Sequence, residues 1–600
     1  LVGYKYTGGG MEETQQEKLW EEKDAWIRNL SSLGDKSQLL FNKLFEKKIP
    51  ASAVFQMIHF NQVYQQFIKH LLAKPEKLLN AQINYWQELY FLWQHFMLNK
   101  QYDESKPEAK DFQFKDWQEN PAFHFIKDFY QLHVRHFQAL LQMTEGLDKK
   151  TSSQIQFYFK QVVEALSPTN FAVTNPEVWR TTLENRGENL LKGLDNALND
   201  LSQDQEYFQI KMTDTSHYEI GKNVAITPGK VVYQNDLIQL IQYEPQTRKV
   251  YQRPILFVPP WINKYYIFDL TPSFSLVNWL VQQSYTVFMI SWVNPDNSLS
   301  QKEFSDYLLE GPLQALKVIK QACGVNEINT LGYCVGGTLL ACAMAYQAAR
   351  GEGGIQSASY LCALLDFSEP GDIGAFIDDH QLQWLEKEMQ NKGYLDGRQM
   401  ATTFNILRPK DLIWSYYVKN YLLGESPAPH DLLFWNSDST NIPEKMHRFY
   451  LRNMYLDNGL KKGSLSLNNQ LIDLKMVQAP ACFIGALQDH IAPWKSVYAG
   501  LKLYAGPAEF ILSGSGHIAG AINPPERNKY QYYLNPQITE AAEAWLQFAK
   551  EHTGSWWPHW EKWLRRYSGD QVEARMPGDT GLALIEDAPG TYVRKRLSPR

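Results

Sequence analysis

The sequence predicts an α/β chain with a mostly parallel sheet, a long insertion into that sheet, and a helical region ahead of it. Three observations carry this. From about residue 220, short apolar runs alternate with helical patterns, the mark of buried parallel strands with crossover helices. Between the fourth and fifth of the well-separated runs lie more than a hundred residues. Before residue 200, apolar residues recur at three- and four-residue steps instead.

The runs, in order, are Ile255–Val258, ending at Pro259-Pro260; Thr286–Trp292, ending at Asn294-Pro295; Ile328–Leu331, running into Gly332; Tyr360–Leu365, ending at Asp366; Ala481–Ala486; and Phe510–Leu512. In the helical region, Ile83, Trp86, Leu89, Trp93 and Phe96 fall on one helical face. That face could dimerise, dock a partner, touch an apolar product, or bury itself on its own helical core. The long gap holds Trp414, Tyr416, Tyr417, Tyr421, Phe434, Trp435, Phe449 and Tyr450, and reads as a cap inserted over the sheet. The Trp-rich stretch Trp556–Trp563 reads as packing. The resulting division is a tail at 1–10, native or of expression-vector origin, a helical N-terminal domain at 11–210, a catalytic α/β domain at 211–565 with its cap at about 367–475, and an extended C-terminal tail at 566–600.

Composition bounds the function. Six hundred residues are too many for one simple domain. With 59 Lys+Arg against 65 Asp+Glu, the net charge of −6 excludes a mainly electrostatic nucleic-acid binder. An apolar share of 44% is globular, and 14% aromatic residues suits either a large buried core or an exposed surface for an apolar partner. Five widely spaced cysteines, without a C-x-x-C, argue against a disulfide framework or a zinc site. The start of the chain has no apolar signal core, and no stretch is long enough for a membrane span, so a cytoplasmic protein is expected.

The chemistry sits at Gly332-Tyr333-Cys334-Val335-Gly336-Gly337, between a buried strand and a good helix. This is the G-x-S-x-G nucleophile elbow of the α/β-hydrolase fold with Cys for Ser. The strained turn projects the nucleophile, and the helix N-terminus behind it favours a thiolate. The fold's chain order then asks for an acid after a later strand and a histidine after the next. Asp489 and His517 stand there, so Cys334, Asp489 and His517 form a nucleophile–acid–base set. His490, adjacent to Asp489, is the rival base, and is read as holding the loop or lining the substrate pocket with Ala519. The oxyanion donors would be the backbone N–H of Val335 and one from the Pro259–Lys264 loop, where prolines cannot donate: Trp261 or Ile262, with Ile262 preferred. Cys323, Cys342, Cys362 and Cys482 read as small buried hydrophobes, and Asp366 as a turn cap.

Five separated stretches, Phe257–Tyr266, Gly332–Gly337, Asp431–Asn436, Asp489–Trp494 and Gly516–Gly520, resemble class I polyhydroxyalkanoate synthases, poly(3-hydroxyalkanoate) polymerases. The resemblance runs from roughly residue 80 to Val593. It implies an enzyme that polymerises (R)-3-hydroxyacyl-CoA, short-chain such as 3-hydroxybutyryl-CoA, into an intracellular polyester and releases CoA. The family's catalytic Cys, Asp and His fall on Cys334, Asp489 and His517. Trp261, where some relatives carry other residues, bears on substrate fit. Expected partners are the acyl-CoA, the polyester granule surface, granule-associated proteins and a second copy of the chain in a homodimer. No metal and no cofactor is expected, CoA being a substrate moiety and product. Arg408 or Lys410 is a candidate contact for its phosphates. A thioesterase or polyester depolymerase on the same fold is the alternative.

Overall fold

The computed structural model describes residues 13–46, 51–98, 110–143, 146–202 and 209–597. The expected tail at 1–10 lies outside these. The described residues form two compact units. One holds those up to Asp214 together with Arg408–Ala428, the other Thr215–Leu407 with those from Pro429 onward.

The first unit is helical. Its longer helices include Glu13–Glu46, Ala51–Leu72, α1 (Pro75–Met97), α2 (Pro121–Gln142), Lys149–Ala165 and Glu188–Ser202. Local chemistry sets their starts. Asn120 accepts from the Ala122 N–H ahead of α2, with Pro121 at its first position, and Asp148 accepts from Thr151 N–H at the next helix. A small core of Val63, Phe67, Leu71, Leu140 and Ile155 joins three of them. The segment 408–428 belongs here because Asn189 and Asn196 donate to the carbonyls of Leu422 and Asn420, at 2.8 and 2.9 Å. The stretch 367–475, read as one cap, thus contributes to both units. α1 leaves Leu79, Ile83, Trp86, Tyr90, Trp93 and Met97 exposed.

The second unit is built on an eleven-stranded sheet. In chain order its strands are β1 (Gly229–Gln234), β2 (Ile238–Tyr243), β3 (Ile255–Val258), β4 (Val287–Trp292), β5 (Ile328–Tyr333), β6 (Ile355–Leu361), β7 (Ala481–Ala486), β8 (Ala508–Ser513), β9 (Gln531–Leu534), β10 (Lys550–Thr553) and β11 (Glu586–Asp587). Across the sheet they run β10-β9-β8-β7-β6-β5-β3-β4-β2-β1-β11. The six from β8 to β4 are parallel, and these are the six strands the sequence predicts. The flanking strands pair antiparallel. The fourth predicted run is displaced. β6 starts at Ile355 and stops at Leu361, because Cys362 takes φ 46° and ends the extended backbone. The C-terminal stretch is not simply extended: it supplies the edge strand β11 and a second pairing, Gln571–Glu573 with Lys249–Tyr251.

Large apolar layers cover both faces of the sheet. Trp556, Trp557 and Trp560 are fully buried, and their indole N–H groups donate to Gly520 O, Ala521 O and Ser359 Oγ. Burial of such rings is tolerated because each polar edge finds an acceptor. Among the described residues, no helix is long and apolar enough to cross a membrane.

Candidate active site

Strand β5 delivers Cys334 to the site. The residue takes φ 53° and ψ −128°, immediately before α3 (Val335–Ala349). Its N–H donates to Leu361 O at 2.9 Å, and its carbonyl accepts from Gly337 N–H at 2.9 Å. The strained turn is possible because its neighbours lack side chains. A Cβ on Gly336 would stand 2.2 Å from Val258 O and 2.6 Å from Pro259 O. That close approach sets the start of α3 against the end of β3. Cys334 itself is half-buried.

Asp489 follows β7, and His517 follows β8. The His517 Nδ1 and Asp489 Oδ2 atoms are 2.6 Å apart, and both residues are buried. The other carboxylate oxygen accepts the N–H groups of Ile491 and Ala492, each at 2.9 Å, which locks the acid in its turn. The imidazole stacks on Tyr333, with ring centroids 5.2 Å apart. Burial alone would push the His517 pKa down. The Asp489 carboxylate, with smaller help from Tyr333 and Cys334, outweighs it and holds the pKa well above the usual histidine value.

His490 and Ala519 lie half-buried in the two loops that carry Asp489 and His517. Trp261 is buried edge-to-face with Trp292, Phe304, Tyr307 and Tyr450, and Thr440 N–H donates to Ile262 O at 3.0 Å. Asp366 caps its turn, accepting from Ser368 N–H at 2.9 Å and pairing with Lys461. Arg408 and Lys410 pair with Asp411 and Asp111 in the helical unit.

Two features were incompletely read from the sequence, where Tyr450 is placed among the cap aromatics but Tyr455 is not. Tyr450 and Tyr455, ring to ring at 5.7 Å, keep their protons chiefly through burial, with a contribution from nearby Cys334. Nothing in the spacing of the insertion marks them out. The second is Cys362, read as an inert hydrophobe. Its sulfur, an Asp489 carboxylate oxygen and a His517 ring nitrogen all lie within 4.8 Å of one another. Register could have found it: β5 and β6 pair Tyr333 with Leu361, so the residues following each strand are neighbours.

Residues 108–280 match the family described as the N-terminus of poly-beta-hydroxybutyrate polymerase (PhaC), and residues 254–524 match the α/β-hydrolase fold family. A poly(3-hydroxyalkanoate) polymerase of Methylorubrum extorquens is 44% identical over 532 residues, 88% of this chain and 88% of its own length. This chain belongs to the poly(3-hydroxyalkanoate) polymerase family. Further members are the polymerase subunits PhaC of Rhizobium meliloti, 44% identical over 88% of this chain and 87% of that one, and of Cupriavidus necator, 41% identical over 87% and 89%. For this polymerase family member, the fold is that of the α/β hydrolases, and the insertion between β6 and β7 sets Tyr450 and Tyr455 near Cys334.

Proposed function

We propose that this polymerase joins (R)-3-hydroxyacyl-CoA units into a polyester and releases CoA, carrying the acyl group as a thioester on Cys334. The observation that carries this reading is the buried His517–Asp489 pair at 2.6 Å, set in the loops that follow two adjacent parallel strands of the sheet that presents Cys334. In a family of polymerases, that arrangement supports nucleophilic thiol chemistry.

A raised His517 pKa favours an imidazolium, which stabilises a Cys334 thiolate. The thiolate attacks the acyl carbonyl, with Val335 and Ile262 N–H groups as the oxyanion donors. The bond to the CoA sulfur breaks, and His517 returns a proton to the departing CoA thiolate. One thioester replaces another at nearly equal energy, whereas a serine ester would spend the driving force before chain growth. The 3-hydroxyl of an incoming unit then attacks the enzyme thioester, giving up its proton to His517 as the C–O bond forms and the C–S bond breaks. The reaction as read draws on no metal or prosthetic group. Bulky rings at Trp261, Tyr450 and Tyr455 support a short acyl side chain and exclude water, the competing nucleophile.

The product would be a water-insoluble polyester, which supports a location at a granule surface in the cytoplasm, with granule-associated proteins as further partners. Six exposed residues of α1, from Leu79 to Met97, recur at steps of four and three, with Phe91 and Phe96 exposed beside them. That spacing is the seam of paired helices and supports a homodimer.

The test is covalent. Wild-type protein given radiolabelled 3-hydroxybutyryl-CoA should release CoA, precipitate polymer and carry label on Cys334. Cys334→Ala should do none of these while keeping its circular dichroism. Turnover in that variant sinks the reading, and soluble hydroxy acid in place of polymer would make the protein a thioesterase.

A further inference from the structure

Cys362 shares a buried pocket with Asp489 and His517, yet the chemistry proposed for Cys334 does not use it. It follows β6 as Cys334 follows β5, and both residues have positive φ, 46° and 53°. Its exposure is 0%, against 7% for Asp489 and 8% for His517. Burial pushes the thiol pKa up to about 12, offset in part by a hydrogen bond with His517, so the resting group is a neutral S–H.

The three donors are a thiol sulfur, an imidazole nitrogen and a carboxylate oxygen, all within 4.8 Å of one another. A thiolate with an imidazole suits zinc or cadmium rather than magnesium or calcium. Bonds of roughly 2.0–2.3 Å place the ligand atoms of a tetrahedral site on the order of 3.3–3.8 Å apart. From a separation of at most 4.8 Å the sulfur therefore needs to move in by about 1.5 Å at most, while the His517–Asp489 pair opens as an ion replaces the proton between them.

We propose that Cys362, Asp489 and His517 form a latent site for a thiophilic divalent cation of the zinc–cadmium class, and that its occupancy silences the enzyme. Binding releases the Cys362 thiol proton and the His517 Nδ1 proton to solvent. Thiolate and carboxylate together balance the ion's two charges, and nothing is oxidised. With the ion on Nδ1, the remaining imidazole proton is fixed at Nε2. There it neither accepts the proton of Cys334 nor, parted from its carboxylate, serves a leaving group. The silencing rests on the proposed function; the binding does not.

The binding test removes the competing thiol. Full-length Cys334→Ala protein, freed of metal, is titrated with cadmium while the thiolate-to-cadmium absorbance is read in the ultraviolet. A rise saturating at one equivalent is expected, with at least tenfold weaker binding in Cys334→Ala/Cys362→Ser; equal titrations overturn the site. Should the double variant lose its fold by circular dichroism, cadmium-113 resonance of the Cys334→Ala protein reads the donors directly. One sulfur is expected, and a shift indicating none or two refutes the assignment. In protein retaining Cys334, Cys362→Ser should raise the half-inhibiting zinc concentration at least tenfold, each protein being scaled to its own uninhibited rate. Unchanged potency would place inhibition at Cys334 and sink the silencing. Absence of CoA release from metal-free wild-type protein would instead strike at the catalytic reading and leave the cadmium result standing.

Discussion

His517 is held from two sides, by the Asp489 carboxylate at Nδ1 and by the Tyr333 ring beneath it. His490 sits one residue from the acid and is half-buried, whereas His517 is buried. His517→Gln should therefore cost several orders of magnitude in CoA release, as removal of a general base does, and His490→Gln far less. Steady-state rates for the two variants decide the assignment, and the reverse ranking would transfer the base role. The ion pair also has a proton-linkage signature. The folded pKa of His517 lies above its unfolded value near 6.5. Its contribution to stability is then complete below about pH 6.5 and fades as pH rises through the folded pKa. In Asp489→Asn, burial is left to push that pKa down. The gap in melting temperature between wild type and variant should be widest near pH 6 and narrow toward alkaline pH. A gap constant with pH would mean that no imidazolium is stabilised.

At the scale of elements, the helix after Cys334 depends on one missing side chain. Gly336→Ala would drive a Cβ into the carbonyls of Val258 and Pro259, both backbone atoms that cannot swing aside. Forcing α3 off β3 should cost about 1–3 kcal/mol or more and loosen the oxyanion geometry with it. Thermal denaturation and CoA release should fall together; a wild-type melting curve would mean the elbow tolerates the extra carbon. The same element shows what sequence could reveal. The six parallel strands each hold a short run of mostly apolar, buried residues, and the glycine spacing around Cys334 admits few other structures, so both were readable. The antiparallel flanks were not, since Gln531–Leu534 carries little apolar pattern and Lys550–Thr553 is wholly polar, and both take their strand state from neighbours. Cys362 was missed for a related reason. Its role depends on register across two strands, and composition reads any buried cysteine as a small hydrophobe.

For the molecule as a whole, the unpartnered stripe of α1 sets the strongest constraint. Leu79, Ile83, Trp86, Tyr90, Trp93 and Met97 present aromatic and aliphatic side chains in one seven-residue rhythm, with Trp86 62% exposed. A monomer gains nothing from such a face and risks aggregation. At roughly 25 cal/mol per Å² of apolar area removed from water, covering even part of it supplies several kcal/mol toward association. A flat polymer surface would cover any apolar patch regardless of spacing, whereas a helical partner needs the four-and-three rhythm. The two occupants therefore separate by substitution. Trp86→Glu with Trp93→Glu should shift the protein toward monomer in sedimentation velocity at micromolar concentration. Binding to preformed polyester, measured on that same monomer by co-sedimentation, should fall less than in a variant that also charges Tyr90 and Met97. If the doubly charged protein stays as large as the wild type, the seam does not join two copies, and the face is left to the polymer.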